Sequence, residues 1–131
     1  MSTKNYIKYG DPTLKTFDIT YYDTELTLQN SQSAGKSKLF YNDATGFGIA
    51  KCDFSLARTY QSGQKLGVIE GNTPTPVELI EESVNIGEVS FALYIEKNSR
   101  EVQISHIKGD ISTVFNRRMI INIVGLWSYT E

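Results

Sequence analysis

The stretch Glu88-Val89-Ser90-Phe91-Ala92-Leu93-Tyr94-Ile95-Glu96 decides the fold class of this sequence. Its large apolar side chains occupy every second position, which is the period of a strand with one face in a core. The run Glu101–Lys108 repeats the alternation after a short break, so we expect the two runs to form a β-hairpin closed around residues 97–100. His106 continues the apolar register of the second run, and we therefore expect it to be partly buried.

The rest of the chain repeats this pattern of short segments. Clusters of Gly, Pro, Asn and Asp recur at short intervals, and the segments between them alternate or are rich in β-branched residues. These segments predict further strands at residues 16–22, 24–29, 38–41, 47–57, 65–70, 77–83 and 119–129. With 131 residues, the chain has the size of one domain. The sequence therefore predicts a single all-β domain over residues 1–131, an antiparallel β-sandwich or jelly-roll-like fold of about eight or nine strands.

Two of the predicted strands are irregular. In residues 47–57 the apolar phase shifts by one residue after Ile49, which predicts a β-bulge or a strand that changes sheet. Residues 119–129 are apolar on both faces, which indicates a central strand. A helix over residues 112–124 is the competing interpretation, and its density of β-branched residues disfavours it. Gly46-Phe47-Gly48 predicts a turn that needs unusual backbone angles.

The charged residues exclude some classes of partner. The formal net charge is −2, and the thirteen Lys and Arg residues are scattered, with Arg117-Arg118 as their densest point. Binding to nucleic acid needs a basic stripe that displaces counterions from phosphates, so we do not expect a nucleic-acid partner. The sequence also lacks an apolar N-terminal stretch of signal length and a run of eighteen apolar residues. We therefore expect synthesis in the cytoplasm and no membrane insertion.

Catalytic and metal chemistry have few candidate residues. Cys52 is the only cysteine, which excludes an internal disulfide and a cysteine metal cluster, and its strand register predicts a buried thiol. His106 is the only histidine, so a Ser or Cys nucleophile would have no other imidazole base. Glu78, Glu81 and Glu82 leave open a carboxylate pair for glycoside hydrolysis. We expect no catalytic residue, no metal site and no cofactor.

Binding is the class of function that remains, and the aromatic residues supply its candidates. Tyr21 and Tyr22 place one ring on each face of their strand, while Trp127 and Tyr129 share a strand face near the C-terminus. Exposed aromatic rings stack on sugar rings or fill a protein interface, and the alternative for each ring is packing in the core. Whichever of the four is exposed is a predicted ligand-binding residue.

The order of features from about residue 26 to residue 127 resembles the C-terminal receptor-binding domains of phage tail-fibre and baseplate proteins. The matching pieces, in chain order, are Leu26-Thr27-Leu28-Gln29-Asn30, the long strand at residues 47–56, Leu66-Gly67-Val68-Ile69 leading into Thr73-Pro74-Thr75-Pro76, the hairpin with Leu93-Tyr94-Ile95 and Val102-Gln103-Ile104, and the closing Ile121-Asn122-Ile123-Val124-Gly125-Leu126-Trp127. Two features depart from that layout. In the family a stalk or baseplate-docking region precedes the head, whereas about 25 residues precede the matching part of this sequence. The hairpin turn here has Asn98-Ser99 where the family has Asn-Gly or Asp-Gly.

The resemblance implies a β-sandwich or jelly-roll head that assembles as a homotrimer and binds a host-surface saccharide. It also implies contacts with other virion proteins, a place in the virion, and a docking or stalk-junction role for residues 1–25. Two other interpretations stay open. One is a virion decoration or tail-assembly protein without receptor function, and the other is a small cellular β-sandwich lectin or adaptor.

Overall fold

The computed structural model describes residues 14–23, 26 and 37–129, and within them it confirms an all-β fold. These residues form nine antiparallel strands and a 3₁₀ turn at Ile111–Val114. The strands are β1 (Leu14–Tyr21), β2 (Lys38–Asn42), β3 (Phe47–Phe54), β4 (Lys65–Ile69), β5 (Thr75–Pro76), β6 (Ile80–Ile86), β7 (Val89–Ile95), β8 (Glu101–Lys108) and β9 (Met119–Ser128). The prediction of about eight or nine antiparallel strands in one β domain is confirmed.

All nine strands belong to one sheet that closes on itself almost completely. Their order across the sheet is β5-β9-β3-β2-β1-β4-β8-β7-β6. Strand β1 joins the two halves, because residues 14–18 pair with β2 whereas residues 19–21 pair with β4. The two halves therefore enclose a single hydrophobic core.

The ends of the sheet meet where β6 runs alongside β9. Gly125 of β9 permits this approach, because a Cβ at that position would lie 2.5 Å from Cγ2 of Ile80 in β6. Gly48 of β3 pairs with Gly125 across the two strands. Gly48 leaves room for the Trp127 side chain in the same way, since a Cβ on Gly48 would lie 2.6 Å from the indole Cδ1. The two glycines thus leave room for large side chains where the sheet closes.

The predicted hairpin is confirmed and supplies a large share of the core. Strands β7 and β8 pair in antiparallel register around the turn at residues 96–100. The four alternate apolar side chains of β7 are all buried, namely Val89, Phe91, Leu93 and Ile95. Cys52 is fully buried on the inner face of β3, as its register predicts, and this burial raises the pKa of its thiol to about 12.

Strand β8 departs from its predicted register at His106. Ser90 pairs with Lys108 but Ala92 pairs with Ser105, so β8 carries one more residue than β7 between the two pairs. His106 lies in this bulge with a φ of 55°. Its side chain is exposed, and its Nδ1 lies 2.8 Å from the Ser105 hydroxyl. The prediction that His106 is partly buried is therefore wrong, because the bulge turns it away from the apolar register.

Strand β3, in contrast, contains no bulge. Its pairing with β9 runs without a shift from Phe47 to Phe54. The alternate residues from Gly48 to Phe54 face the core, whereas Phe47 is exposed and Ile49 half-buried on the outer face. The predicted bulge or change of sheet is wrong, because the apparent phase shift comes from two apolar side chains that face outward.

Other boundaries differ from the predicted ones. The segment predicted as one strand at residues 77–83 begins with three exposed residues, 77–79, that lie between β5 and β6, and only residues 80–83 belong to a strand, β6. Residues 112–124 contain the last part of the 3₁₀ turn, a short connection and the first part of β9, so the competing helix is wrong. Gly46 forms the predicted turn with a φ of 83°. The predicted strand at residues 24–29 lies outside the described residues apart from Leu26. The same holds for most of the predicted docking segment at residues 1–25, whose described part contains β1.

Candidate functional site

The four aromatic candidates divide into two buried and two exposed side chains. Tyr21 and Trp127 lie in the core, with exposed fractions of 5% and 2%. The Tyr21 ring packs at a tilted angle against Phe54, and its hydroxyl lies 2.7 Å from the Ser37 hydroxyl. Core packing thus accounts for Tyr21 and Trp127, and Tyr22 and Tyr129 are the two candidates at the surface.

The two exposed tyrosines lie at opposite ends of β1 and do not form one site. Tyr129 follows β9 and packs edge-on against Tyr41, with ring centroids 5.8 Å apart, and the Lys15 ammonium lies 5.7 Å from the centre of the Tyr129 ring. Lys15 is near the start of β1, whereas Tyr22 directly follows its end. A strand of that length separates Tyr129 from Tyr22 by roughly 20 Å.

Tyr22 opens onto a cleft of about 360 Å³. Its backbone N–H donates to the Leu66 carbonyl at 2.9 Å, which joins the end of β1 to the start of β4. The cleft therefore lies where β1 passes between the two halves of the sheet. Its lining residues come from the segment after β1, the β3–β4 connection and the start of β4: Tyr22, Asp23, Leu26, Arg58, Tyr60, Gln64, Lys65 and Leu66. We call this the Tyr22 cleft.

A tight turn before β4 fixes one wall of the Tyr22 cleft. Gly63 has a φ of 92°, a conformation that favours glycine. Its N–H donates to the Ile104 carbonyl at 2.7 Å, and its carbonyl accepts from Gln103 Nε2 at 2.9 Å. The Gln64 side chain accepts from the Gln61 N–H at 3.1 Å. These bonds tie the turn to β8, so the wall has a defined position.

Glu101 of β8 holds one tyrosine and one cation at the rim of the cleft. Its carboxylate accepts a hydrogen bond from the Tyr22 hydroxyl at 2.6 Å and pairs with the Lys65 ammonium at 2.8 Å. The bonds from Lys65 and then from Tyr22 lower the pKa of Glu101 below its ordinary value of 4.5. The bond to Glu101 in turn raises the pKa of Tyr22 to about 12. Tyr22 remains 56% exposed, so its hydroxyl is held while its ring is open to solvent.

Asp23 likewise contacts one tyrosine and one cation of the cleft lining. It accepts from the Tyr60 hydroxyl at 3.2 Å and pairs with Arg58 Nε at 2.8 Å. Tyr60 is largely buried, whereas the Arg58 side chain is 56% exposed. The Tyr22 cleft thus combines one exposed aromatic ring with ionised groups of both signs that are already held by partners.

The lowered pKa of Glu101 predicts a pH dependence of stability. A carboxylate whose folded pKa lies below its unfolded value stabilises the folded state above the unfolded pKa, and this contribution is lost as pH falls through the folded pKa. We expect the unfolding free energies of wild type and Glu101→Gln to differ by a constant amount above about pH 5.5 and to converge below about pH 4. Urea unfolding across this range measures the difference. The control is Glu96→Gln, which removes a carboxylate from the turn between β7 and β8, five residues before Glu101. Equal pH profiles for the two variants contradict the prediction.

Sequence reasoning identified Tyr22 but missed the polar residues around it. Asp23, Arg58 and Glu101 come from three distant parts of the chain, and only the β1–β4 and β4–β8 pairings bring them together. The available signal was weak, since each is an ordinary charged residue in the sequence. The charges become informative only once the strand order is known.

Other chemistry has little support in the part of the chain that the structure describes. That part contains no group of three or more His, Cys, Asp and Glu side chains placed to hold a metal ion. It also contains no helix with the length and apolar character that crossing a bilayer requires. The candidate carboxylates Glu78, Glu81 and Glu82 are exposed, and none of them lines the Tyr22 cleft.

No protein-family model matches this chain, and comparison with curated proteins and with solved structures finds no match either. The function is therefore inferred from the Tyr22 cleft and from the order of features in the sequence.

Proposed function

We propose that this protein is a non-catalytic module that binds a saccharide in the Tyr22 cleft. The observation that carries the proposal is the exposed Tyr22 ring, whose hydroxyl is fixed by Glu101 at 2.6 Å. An aromatic ring held in this way offers its face to the apolar face of a sugar ring, and little side-chain freedom is lost on binding.

The polar groups of the cleft complement the hydroxyls of a sugar. Among the lining residues, Arg58, Lys65 and Gln64 are donors and Asp23 is an acceptor, and Glu101 is an acceptor beside Tyr22 and Lys65. Hydrogen bonds to ionised groups are stronger than those between neutral groups and fix the orientation of a ligand. A volume of about 360 Å³ lies at the small end of the range for ligand sites, which favours a short saccharide or the end of a longer one.

The electrostatics of the rim favour binding over cleavage. Glycoside hydrolysis needs a carboxylic acid that keeps its proton near neutral pH, usually because its pKa is raised. The pKa of Glu101 is instead lowered by Lys65 and Tyr22, which makes Glu101 unsuited to act as the general acid. Its contacts suit a permanent hydrogen-bond acceptor.

The biological setting that we propose is a phage tail or baseplate, in contact with other virion proteins and with a host-surface glycan. The resemblance in the order of strands and turns supports it. A virion decoration or tail-assembly protein is the alternative without a receptor, and a small cellular lectin or adaptor would use the same cleft in another setting. Adsorption of labelled protein to whole bacteria separates the receptor-binding module from a decoration or tail-assembly protein, because only the former is expected to stain a bacterial surface.

Binding to an array of bacterial surface oligosaccharides tests the proposal. We expect wild type to bind a defined subset, and Tyr22→Ala to lose at least about tenfold in affinity, because an exposed aromatic anchor is removed. Tyr129→Ala is the control, since it removes the other exposed tyrosine, at the opposite end of β1. Equal losses in the two variants, or no saccharide bound by wild type, overturn the proposal.

A further inference from the structure

A contiguous apolar surface covers the outer side of β9 and its neighbours. Its members are large hydrophobic side chains between 40% and 54% exposed: Phe47, Val77, Leu79, Ile120, Val124 and Leu126. They are six of the nine large hydrophobic side chains that are exposed in the described part of the chain. We call this surface the outer apolar face. Isolated apolar side chains at a surface are ordinary, whereas a cluster of this kind marks a site of interaction.

The strand register makes most of these residues neighbours, although the Asn122–Lys51 pair separates Ile120 from Val124. Phe47 of β3 lies opposite Leu126 of β9, and Ile49 lies opposite Val124. The Val77 N–H donates to the Leu126 carbonyl at 3.1 Å, which places residues 77–79 along the other side of β9. The apolar side chains therefore continue across three adjacent segments of backbone.

The outward positions of β9 itself carry no charge. The outward positions of β9 are, in order, Ile120, Asn122, Val124, Leu126 and Ser128. A sheet face in contact with water normally carries polar residues at most of these positions. Large apolar side chains without charge are typical of the central part of a protein–protein interface, so the occupant of this face is expected to be a protein.

Charges of opposite sign border the two sides of the face. Lys51 lies on the β3 side, opposite Asn122, and Glu78 and Glu81 are exposed on the β6 side. A second copy placed by a two-fold axis parallel to β9 is reversed from left to right, so its acidic border meets the basic border of the first copy. A two-fold axis across the strands would instead oppose like charges. The face therefore complements itself in one orientation.

We propose that the outer apolar face is the interface of a two-fold homodimer of this chain. A stable interface removes about 800 Å² from each partner, which requires the apolar centre and both charged borders. No residue of the Tyr22 cleft belongs to this face, so the inference is independent of the saccharide proposal. The resemblance to tail-fibre heads implies a three-fold assembly instead, and the mass in solution decides between the two.

Sedimentation equilibrium of the full chain between about 1 and 100 µM tests the dimer. We expect the mass of two chains for wild type and of one chain for Leu126→Lys. The control is Tyr22→Lys, which places the same charge at a position of equal exposure, 56% against 54%, and is expected to stay dimeric. A monomeric or trimeric wild type overturns the proposal, as does loss of the dimer in both variants. Since Leu126 is exposed, the urea midpoint of unfolding of dilute Leu126→Lys shows whether the fold is intact.

Charge reversal tests the orientation of the dimer. Lys51→Glu and Glu81→Lys each place like charges across the two-fold axis, and we expect each to weaken dimerisation by about tenfold. Their combination restores opposite charges and is expected to recover most of the affinity. A double variant as weak as the product of the two single variants contradicts this orientation.

Discussion

Trp127→Ala is expected to lose about 3–5 kcal/mol of the free energy of unfolding, because it removes the largest fully buried side chain of the described core. The indole lies against Gly48, and its Nε1 has no hydrogen-bond partner among the described residues. Trp127 therefore contributes through packing, and its removal leaves a cavity where the sheet closes beside Gly125. Urea unfolding followed by circular dichroism measures the loss.

Two further variants serve as controls for Trp127→Ala. Trp127→Phe keeps an aromatic ring and sacrifices no hydrogen bond, so we expect a clearly smaller loss than for alanine. Tyr22→Ala removes an exposed ring and one exposed hydrogen bond to Glu101, and is expected to lose no more than about 1 kcal/mol. The assignment of Trp127 to the core is contradicted if Trp127→Ala unfolds like wild type but no longer binds saccharide.

Arg118→Met is expected to lower the melting temperature by roughly 10 °C, because it leaves a buried carboxylate without its main counter-charge. Asp53 lies in β3, where it pairs with Ile120 of β9, and its side chain is fully buried. Arg118 binds both of its oxygens, through Nη2 at 2.7 Å and Nε at 3.0 Å. This contact with Asp53 also raises the pKa of the Arg118 guanidinium.

Neighbouring residues supply the control for this ion pair. Arg117→Met removes the adjacent exposed cation, and we expect a small change in melting temperature by calorimetry. Adding Asp53→Asn to Arg118→Met replaces the buried carboxylate by a neutral amide and is expected to recover part of the loss. Equal melting temperatures for the two arginine variants would show that Asp53 does not depend on Arg118.

The fold class could be predicted from the sequence because its main signal is local. The alternation in residues 88–96 and 101–108 belongs to single strands and a short turn, and the hairpin they predict is the one observed. The positions of turns followed from Gly, Pro and Asn in the same way. Strand order could not be predicted, because the pairing of β1 with β4 or of β3 with β9 depends on which apolar faces meet in the complete core.

Two local errors share a cause, which is that apolar character does not by itself indicate the inner face. The apolar register predicts that His106 is partly buried, but a bulge at a φ of 55° turns it outward. Phe47 and Ile49 suggested a shift in β3, but they lie on the outer side of a regular strand. Phe47 also belongs to the outer apolar face. The residue that suggests a shift in β3 is therefore part of the proposed interface.

The candidate site was only partly predictable for a related reason. The sequence predicts four aromatic candidates, and it does not distinguish the exposed Tyr22 and Tyr129 from Tyr21 and Trp127, which lie in the core. The partners that orient Tyr22 act through space: Glu101 is distant in the chain and reaches Tyr22 only because β4 lies between β1 and β8. Contacts of this kind follow from strand order and not from composition or spacing.

The most direct test of the central claim, that the Tyr22 cleft binds a saccharide, is an NMR titration of the wild-type protein with the array saccharide that it binds most tightly. We expect saturable shifts in the backbone amide signals of Tyr22, Arg58, Gln64 and Lys65, and little change at Tyr129 or along β9. Shifts confined to residues outside the Tyr22 cleft would contradict the claim. So would the absence of saturable shifts with any array saccharide up to about 10 mM.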